Sequence, residues 1–390
     1  MKISQIHIAL VHGDGLCSNI LRISKIHKEI GDEDHIITEV ISEYPDTITM
    51  GGNDYPKTDD NNLKSLIYKF GRFISINNKI EFLKLYRENK KRYVPGWAKQ
   101  EIETSDLRIW HYGGYYDLMK QFKDNDILFY HGLSFSTLPI NGKSFLNKNH
   151  YDRSCSYLKN NILKKNPNII TVSKNAKDEL INFGFDPDKI WVLPLTHDYL
   201  LPYMKHDSSK INLLAYGRYT VNKRPDIIAE MANKEKINLI LFGDNIQQLE
   251  YKYVYKQAKK WENENVKVYG KLKSIDDMFN NSNIYISNSN NEAFNIPIIE
   301  SEAHSLPVLA RKGSAMDELI IDGYNGYLFN DITEVPNLAK KILADYDKFS
   351  LNAYNESLKY THEKFKENYL EIIHQIYSQK LNAQNKQEVK

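Results

Sequence analysis

The sequence predicts an α/β protein with two Rossmann-like domains, each built on a parallel sheet. Short apolar, β-branched runs alternate with helix-length segments through most of the 390 residues, as the crossovers between parallel strands require. Several of these runs are apolar at consecutive positions, which is typical of strands covered on both faces. The chain is also too long for one ordinary core, so two domains are expected.

The predicted strands form two sets. The first is QIHIALV (5–11), HIITEVI (35–41), DILFYH (126–131), NIITVS (168–173) and KIWVLP (189–194). The second is INLLAY (211–216), INLILF (237–242), VKVYG (266–270), NIYISNS (283–289) and LPVLA (306–310). LPLTHDYLLPY, with two prolines and no clear period, separates the sets. The expected domains are therefore 1–195 and 196–350.

Two segments depart from this alternation. Residues 43–120 begin turn-rich and continue through the basic, helical KLYRENKKRYVPGWAKQ, so we expect an insertion on the first domain. Its Lys and Arg residues suit a solvated helix face, and the alternative is contact with an anionic membrane or a phosphorylated acceptor. From about Ser350 the apolar spacing predicts one long helix, assigned to residues 351–390 and expected to pack toward the N-terminal domain.

Composition excludes several classes of protein. Hydrophobic residues make up 41% and charged residues 26%, as in ordinary globular proteins, and no apolar run approaches the roughly 18 residues of a membrane span. A net charge of +2 is too small to predict a nucleic-acid partner. Two cysteines make neither a disulfide framework nor a four-ligand zinc site. Because the first residues also lack a signal-peptide pattern, a cytoplasmic protein is expected.

The first candidate binding loop is HGDG (12–15), directly after the first predicted strand. Gly13 and Gly15 would let the backbone approach a ligand at the carboxyl end of the sheet, where doubly wound folds bind theirs. A simple tight turn explains the two glycines equally well. The loop does not continue as G-x-G-x-x-G, which argues against a dehydrogenase.

The second candidate loop is AYGRYTVNKRPD (215–226), after the first strand of the second domain. Arg218 and Lys223 lie at the carboxyl end of that strand, where the planar fork of Arg and the mobile charge of Lys suit phosphate oxygens. Pro225 is suited to the first position of a helix. The alternative is a surface pair around a turn. Phosphate binding is favoured because position and spacing agree.

The third candidate loop follows NIYISNS and ends where Pro297 begins a helix. The first amides of a helix have no acceptor within it, and the helix dipole favours negative charge there. The backbone N–H groups of Phe294, Asn295 and Ile296 are therefore expected to form an anion site.

Two carboxylates flank this anion site. Glu292 precedes it and Glu300 lies just inside the helix, at a spacing that matches no familiar metal-binding pair. Glutamate is also common in a first helical turn for structural reasons. The functional interpretation is that each acid contacts one end of a ligand whose phosphates lie over the helix, with a sugar at one end and a ribose at the other.

Together these residues resemble the retaining glycosyltransferases of family 4, which have the GT-B fold of two facing Rossmann-like domains with a donor cleft between them. The resemblance rests on Gly217-Arg218 with Lys223, INLILFG ending at Gly243, VKVYGKL, Ser289-x-x-Glu292 with Glu300, Pro307-Val308, Gly313 with Glu318, and DGYNGYLF (322–329). HGDG, FYHG (129–132) and VSKNAKDEL (172–180) match less specifically. Most of the chain outside 43–120 is covered.

The resemblance implies a role for each candidate. The donor-binding residues would be Gly13, Gly15, Arg218, Lys223, Phe294, Asn295, Ile296 and Glu300, and the catalytic residues would be Glu292 and His131. The two cations would hold the diphosphate, and Glu300 the ribose hydroxyls. Glu292 would face the donor sugar, with His131 lying over it. A structural histidine at the strand end is an equal alternative for His131.

The chain also departs from the family pattern. E-G-F-G reads Glu292-Ala-Phe-Asn295 here, so the close-approach glycines are replaced. The small A-C-G before Pro-Val is replaced by bulkier residues, and the rim at 311–316 lacks the double glycine. The donor's base and sugar are therefore not predicted.

The resemblance implies an enzyme of polysaccharide biosynthesis, a retaining, metal-independent hexosyltransferase. It would move a sugar from a UDP- or GDP-sugar to a hydroxyl of a glycan, a lipid-linked glycan or a small acceptor. No cofactor or metal is expected, since the nearest D-x-D match, Asp186-Pro-Asp188, falls in a predicted turn. A peripheral contact at the inner face of the membrane is left open. The alternatives are a nucleotide-sugar 2-epimerase and a non-catalytic nucleotide-sugar-binding partner subunit.

Overall fold

The computed structural model of the protein describes residues 1–7, 15–38, 100, 102–114, 117–133, 148–243, 249–270 and 276–388. The chain divides into two compact units, Met1–His131 with Asp152–Ile170, and Gly132–Tyr151 with Thr171–Lys390. Among the residues described, no helix has the length and apolarity to span a bilayer. The domain boundaries expected from the sequence stay predictions.

The first sheet has six strands in the order β2-β1-β3-β4-β5-β6. These are β1 (Lys2–His7), β2 (Glu33–Thr38), β3 (Leu107–Tyr112), β4 (Ile127–Tyr130), β5 (Asn168–Thr171) and β6 (Ile190–Val192). β1 pairs in parallel with β2 and β3, and β3 with β4. The helices among these strands are α1 (Gly15–Glu29), α2 (Lys148–Tyr157) and α3 (Lys174–Asn182).

The second sheet also has six strands, in the order β12-β11-β10-β7-β8-β9, and all of its pairings are parallel. The strands are β7 (Asn212–Tyr216), β8 (Asn238–Phe242), β9 (Val266–Val268), β10 (Ile284–Ser287), β11 (Val308–Arg311) and β12 (Gly326–Phe329). The helices are α4 (Pro225–Lys234), α5 (Leu249–Lys259), α6 (Asp276–Asn280), α7 (Ile296–Ala303), α8 (Met316–Leu319), α9 (Val335–Ala344), α10 (Tyr346–Ser357) and α11 (His362–Glu388). The predicted α/β class with two parallel sheets is confirmed.

Polar residues inside the first sheet explain why its strands were predicted less well. The described strand β1 begins at Lys2, three residues before the prediction, and it carries buried Ser4 and Gln5. Each is satisfied by hydrogen bonding, Ser4 Oγ with Ser105 Oγ at 2.7 Å and Gln5 Nε2 with Asp34 Oδ2 at 2.9 Å. Strand residues whose polar groups are paired do not show in an apolar pattern.

Two strands of the sheets were not predicted as strands. LRIWHY, β3, falls inside the segment read as an insertion, yet it lies between β1 and β4. Its Trp110 is fully buried, and the indole donates to Asp126 Oδ2 at 2.7 Å. GYLF, β12, had been noted only as part of a motif. Residues 107–112 of this segment therefore form an interior strand of the first sheet, whereas residues 43–99 of the predicted insertion lie outside the described residues.

The prediction of a single C-terminal helix from about Ser350 is wrong, because two helices occupy this region. Helix α10 ends at Ser357 and α11 begins at His362. Thr361 has extended backbone angles, and its side-chain oxygen accepts a hydrogen bond from the amide of Lys364 at 3.4 Å. A threonine that caps the second helix thus separates the two.

Helix α7 buries a carboxyl group. Glu302 is fully buried, its Oε1 accepts from Asn325 Nδ2 at 2.5 Å, and its Oε2 has no hydrogen-bond partner among the described residues. Burial, with the nearby charge of Glu356, raises the pKa of the Glu302 carboxyl well above its ordinary value, despite the hydrogen bond from Asn325. The folded chain therefore holds a proton that the unfolded chain releases above a pH of about 4.3.

Glu302→Gln is expected to stabilise the protein increasingly as pH rises from 5 to 8. The folded state binds more protons than the unfolded state in this range, so the parent loses stability with rising pH at up to about 1.4 kcal/mol per pH unit from this group. Glutamine copies the neutral carboxyl and has no such loss. Thermal unfolding of both proteins at several pH values measures it. A difference in midpoint that is the same at pH 5 and pH 8 would contradict the assignment.

Candidate functional site

The candidate site of the second unit lies where β7 and β10 end. These strands are neighbours in the parallel sheet, so their carboxyl ends share one edge and their following loops meet. Asn222 joins the loops: its Nδ2 donates to the carbonyl of Asn291 at 2.6 Å, and its own carbonyl accepts from the amide of Asn290 at 3.0 Å. The two candidate loops are thus one hydrogen-bonded structure.

An ion pair lies at the centre of this structure. Lys223 Nζ is 2.7 Å from Glu292 Oε1, and the two side chains are only 19% and 13% exposed. The backbone of Glu292 is fixed on both sides, because its amide donates to Ser314 Oγ at 3.1 Å and its carbonyl accepts from Ala315 N at 3.2 Å. Lys223, which was predicted to bind phosphate, and Glu292, which was predicted to be the catalytic carboxylate, are therefore direct partners. The sequence did not show this contact.

Two glycines create the space for the lysine. Gly217 has φ +136°, and a Cβ there would lie 3.2 Å from Lys223 Cδ and 3.3 Å from Cε. Gly243, at the end of β8, packs against the same loop, since its Cβ would lie 2.1 Å from the Gly217 carbonyl oxygen. The Lys223 stem thus runs directly over the backbone of Gly217.

The two arginines of this loop differ in their surroundings. Arg224 has a left-handed backbone (φ +45°), and its guanidinium forms two hydrogen bonds with the carboxylate of Asp226, at 3.1 and 3.0 Å. Arg218 is exposed, two residues after the end of β7. Arg224 is thereby committed to the start of α4, and Arg218 keeps the position predicted for a phosphate contact.

Helix α7 begins at Ile296, as its Pro297 predicted, so the amides at its start have no acceptor within the helix. Asn295 is 1% exposed and does not cap the helix with its side chain. Instead its Nδ2 donates to Ser287 Oγ at 3.0 Å. Its φ of −127° needs no glycine, which accounts for the departure from the family pattern at this position.

Glu300 lies one turn into α7, where Tyr216 orients it. The Tyr216 hydroxyl donates to Glu300 Oε2 at 2.6 Å and also reaches the Pro297 carbonyl at 3.2 Å. Burial, with the charge of Glu300, raises the pKa of Tyr216 well above its ordinary value, so the hydroxyl remains a donor. Sequence reasoning did not select Tyr216, although its position as the last residue of β7, two residues before Arg218, was the available signal.

The first-domain candidates belong to the other unit or lie outside the description. Gly13 is outside the described residues, and Gly15 is the first residue of α1. His131 follows β4, its amide donates to the Tyr112 carbonyl at 2.9 Å, and its Nε2 is 3.0 Å from His111 Nδ1. Burial, with the charge of His7, lowers the pKa of His131 well below its ordinary value, which keeps the ring neutral near pH 7.

The second unit also holds a polar pocket of about 380 Å³. Its wall includes one face of α3, with Asn175, Asp178 and Asn182, and the residues on either side of Glu292, namely Asn291 and Ala293. Amide and carboxylate groups of this kind hydrogen-bond hydroxyls well.

The backbone amides at the start of α3 donate hydrogen bonds to side chains of the protein itself. Glu318 accepts hydrogen bonds from the amides of Lys174 at 2.9 Å and Asn175 at 2.6 Å, and Ser173 Oγ accepts from Ala176 N at 3.1 Å. The motif residue Glu318 is therefore a structural acid at a helix N-terminus. Of the side chains that the structure describes, no group of three or more His, Cys, Asp or Glu is placed to hold a metal ion.

Sequence comparison finds a match between part of this unit and a known family. Residues 204–355 match the family described as Glycosyl transferases group 1. A probable sucrose-phosphate synthase of Thermosipho melanesiensis is 25% identical over 201 residues, which are 48% of this chain and 47% of that protein. The chain thus spans about half the length of the curated relative that it matches.

Structural comparison covers nearly the whole chain. Sucrose-phosphate synthase from Thermosynechococcus elongatus matches with a TM-score of 0.66 and 15% identity, over 96% of this chain and 99% of that one. HepE from Anabaena, in complex with UDP and glucose, matches with a TM-score of 0.64 and 14% identity, over 96% and 99%. Its complex with UDP-glucose matches equally well, over 97% and 100%. The chain therefore has the fold of the GT-B glycosyltransferases, and its residues 204–355 match the Glycosyl transferases group 1 family.

Proposed function

We propose that the protein is a retaining glycosyltransferase, which transfers a hexose from a nucleoside-diphosphate sugar to a hydroxyl group. The observation that carries the proposal is the Lys223–Glu292 pair, 2.7 Å long, beside the start of α7 in the group 1 domain. The site thereby combines the Lys223 ammonium for phosphate, the Glu292 carboxylate for the sugar and the backbone amides at the start of α7 for an anion. A UDP-sugar is the favoured donor, because HepE was solved with UDP and UDP-glucose, with a GDP-sugar second.

In the proposed reaction, Arg218 and Lys223 hold the diphosphate while the amides of Phe294, Asn295 and Ile296 approach it from the helix start. As the bond from the sugar to the diphosphate breaks, negative charge grows on the leaving oxygen. Fixed cations and helix amides stabilise that charge without reorganisation. These donors support a reaction that needs no metal ion. Glu300, oriented by Tyr216, would hold the ribose hydroxyls.

The acceptor side is proposed from the polar pocket. Its Asn175, Asp178 and Asn182 can accept and donate hydrogen bonds to hydroxyl groups, which suits a glycan, a lipid-linked glycan or a small polyhydroxy acceptor. Two carboxylates in the pocket wall, Asp178 and Glu179, would repel the negative charge of a phosphorylated group. Cytoplasmic location with a peripheral membrane contact is part of this proposal.

A nucleotide-sugar 2-epimerase is the second candidate, since the same donor site would serve it. An epimerase needs no acceptor and would release free UDP from the donor alone. The partner-subunit alternative is disfavoured, because a chain without catalysis would have no use for Lys223, Glu292 and the Tyr216–Glu300 pair together.

The first expected result is selective stabilisation by one donor class. In a thermal-shift series with UDP-, GDP- and ADP-sugars, a ligand at 100 times its Kd stabilises by about 2.7 kcal/mol. Glu300→Ala is expected to lose most of that shift, because the ribose contact is removed. The anomeric proton coupling in the product NMR spectrum should be that of the donor, with EDTA present.

Other outcomes would exclude parts of the proposal. No shift with any nucleotide sugar would contradict the donor site. An inverted anomeric coupling would exclude retention, and activity lost in EDTA and restored by Mg²⁺ would exclude metal independence. UDP release without acceptor, together with an epimerised sugar, would favour the second candidate.

A further inference from the structure

A line of hydrogen-bonded side chains runs through the first unit and ends at His131. His131 Nε2 is 3.0 Å from His111 Nδ1, and His111 Nε2 is 3.0 Å from Gln5 Oε1. Gln5 Nε2 is 2.9 Å from Asp34 Oδ2, and Asp34 Oδ1 is 2.9 Å from His27 Nδ1. The line crosses β3, β1 and β2 and reaches α1.

The inner members of this line are shielded from water. His111 and Gln5 are fully buried, His27 is 2% exposed and Asp34 is 4% exposed. A buried polar atom is normally paired, and leaving one unpaired costs about 1–3 kcal/mol. The hydrogens along the line must therefore be arranged so that every contact joins a donor to an acceptor.

Only one placement of the hydrogens meets that condition, and it follows when the line is traced from Asp34 to His131. Gln5 donates its NH₂ to Asp34 Oδ2 and presents its carbonyl oxygen, which can only accept, to His111. His111 must then carry its hydrogen on Nε2, which leaves the lone pair on Nδ1. That lone pair accepts from His131, whose hydrogen is thereby placed on Nε2.

We propose that Asp34, Gln5 and His111 are positioning residues that fix the tautomer of His131, leaving its Nδ1 as a hydrogen-bond acceptor. Burial lowers the pKa of His111 well below its ordinary value, and the repulsion that His131, His7 and His27 would exert when protonated lowers it further. The rings of His111 and His131 thus stay neutral. His7 adds a contact of its own, from its Nδ1 to the His111 carbonyl at 3.0 Å.

The tautomer determines which kind of ligand group His131 can contact. Nδ1 with a lone pair accepts a hydrogen from a hydroxyl group, and it cannot donate to a phosphate oxygen. If His131 serves the proposed transfer reaction, its ligand is therefore a sugar or acceptor hydroxyl rather than the leaving diphosphate. This role rests on the proposed function, whereas the tautomer itself does not.

The tautomer can be measured directly, without any substrate. The full chain, labelled with ¹⁵N-histidine, is studied by long-range ¹H–¹⁵N correlation at neutral pH, and His131→Gln identifies the His131 signals by their loss. We expect His111 and His131 to be neutral, each with its hydrogen on Nε2. A hydrogen on Nδ1 of His131, or on both of its nitrogens, would overturn the proposal.

A matched pair of variants tests the positioning role. Gln5→Met removes both links at similar length, and the hydrogen of His111 should move to Nδ1, since a buried lone pair is easier to leave unpaired than an N–H. His131 should then show its hydrogen on Nδ1, and kcat should fall at least about tenfold with the donor KM within about twofold.

Ser4→Ala is the control, because Ser4 is the neighbouring residue of β1 and loses one buried hydrogen bond, to Ser105. It should keep the parent tautomers and kcat. A Gln5→Met protein with unchanged tautomers, or with a kcat no lower than that of Ser4→Ala, would contradict the proposal. If Gln5→Met does not fold, the spectrum of the parent protein still decides the tautomer.

Discussion

Replacing Lys223 by alanine is expected to lower kcat/KM for the donor by about 10²-fold or more. Its ammonium is the only partner within 4 Å, among the described salt bridges, of the Glu292 carboxylate. Hydrogen bonds to charged groups contribute about 1.5–3 kcal/mol, and the change removes the proposed contact to the diphosphate together with the observed contact to Glu292. Steady-state kinetics with the donor found in the ligand screen, and calorimetric binding of the free nucleoside diphosphate, measure both effects.

Lys234→Ala is the matched control. Lys234 also pairs with a glutamate, Glu230, at 2.6 Å, but on an exposed face of α4, where the side chains are 62% and 39% exposed. Exposed pairs contribute about 0–1 kcal/mol, so this variant should keep its kinetics. Equal nucleotide affinity in the parent and in folded Lys223→Ala would remove Lys223 from the phosphate site. Glu292→Gln should lower kcat far more than affinity, so the two variants should differ in kind.

Gly326→Ala is expected to have the largest effect on stability. A Cβ at Gly326 would lie 1.9 Å from the Val308 carbonyl oxygen and 2.9 Å from its amide nitrogen. These are backbone atoms of β11, the strand with which β12 pairs through Val308 and Gly326. Neither strand can yield without breaking the pairing, so we expect a loss of about 3 kcal/mol or more, at the upper end of overpacking costs. Chemical unfolding followed by circular dichroism measures it.

Gly323→Ala separates steric conflict from backbone strain. Gly323 has φ +78°, and its Cβ would meet nothing closer than Tyr327 Cε1 at 3.8 Å. Its variant should lose only about 1 kcal/mol, through the left-handed conformation. A Gly326→Ala protein as stable as Gly323→Ala would show that β11 and β12 can separate at little cost.

The fold was predictable from the sequence wherever strands are apolar. β7, β8 and β10 were found within one residue of their starts, because consecutive apolar residues between helix-length segments are the pattern of a buried parallel strand. β3 was missed because Arg108 and His111 interrupt that pattern. Both side chains are satisfied by partners distant in sequence, Asp126 and Gln5, and such pairing cannot be read from local periodicity.

The candidate site was predictable in its positions but not in its contacts. Strand ends and a helix-starting proline led to Lys223, Glu292 and Glu300, since the carboxyl ends of parallel strands meet at one edge. That Lys223 and Glu292 touch depends on how two loops are held together by Asn222. The partner of Glu300, Tyr216, is 84 residues away, and nothing local marks such a pair.

Glu318 has a consequence for how a ligand would be oriented. Helix α3 and helix α7 both begin in the second unit, and each start is attractive to negative charge. The carboxylate of Glu318 already occupies the start of α3, where it neutralises the amides of Lys174 and Asn175. A phosphate reaching these two helices would meet repulsion at one and open amides at the other. The chain's own acid thus takes up the amides at the start of α3, and of these two helix starts only that of α7 is left for the proposed phosphate contact.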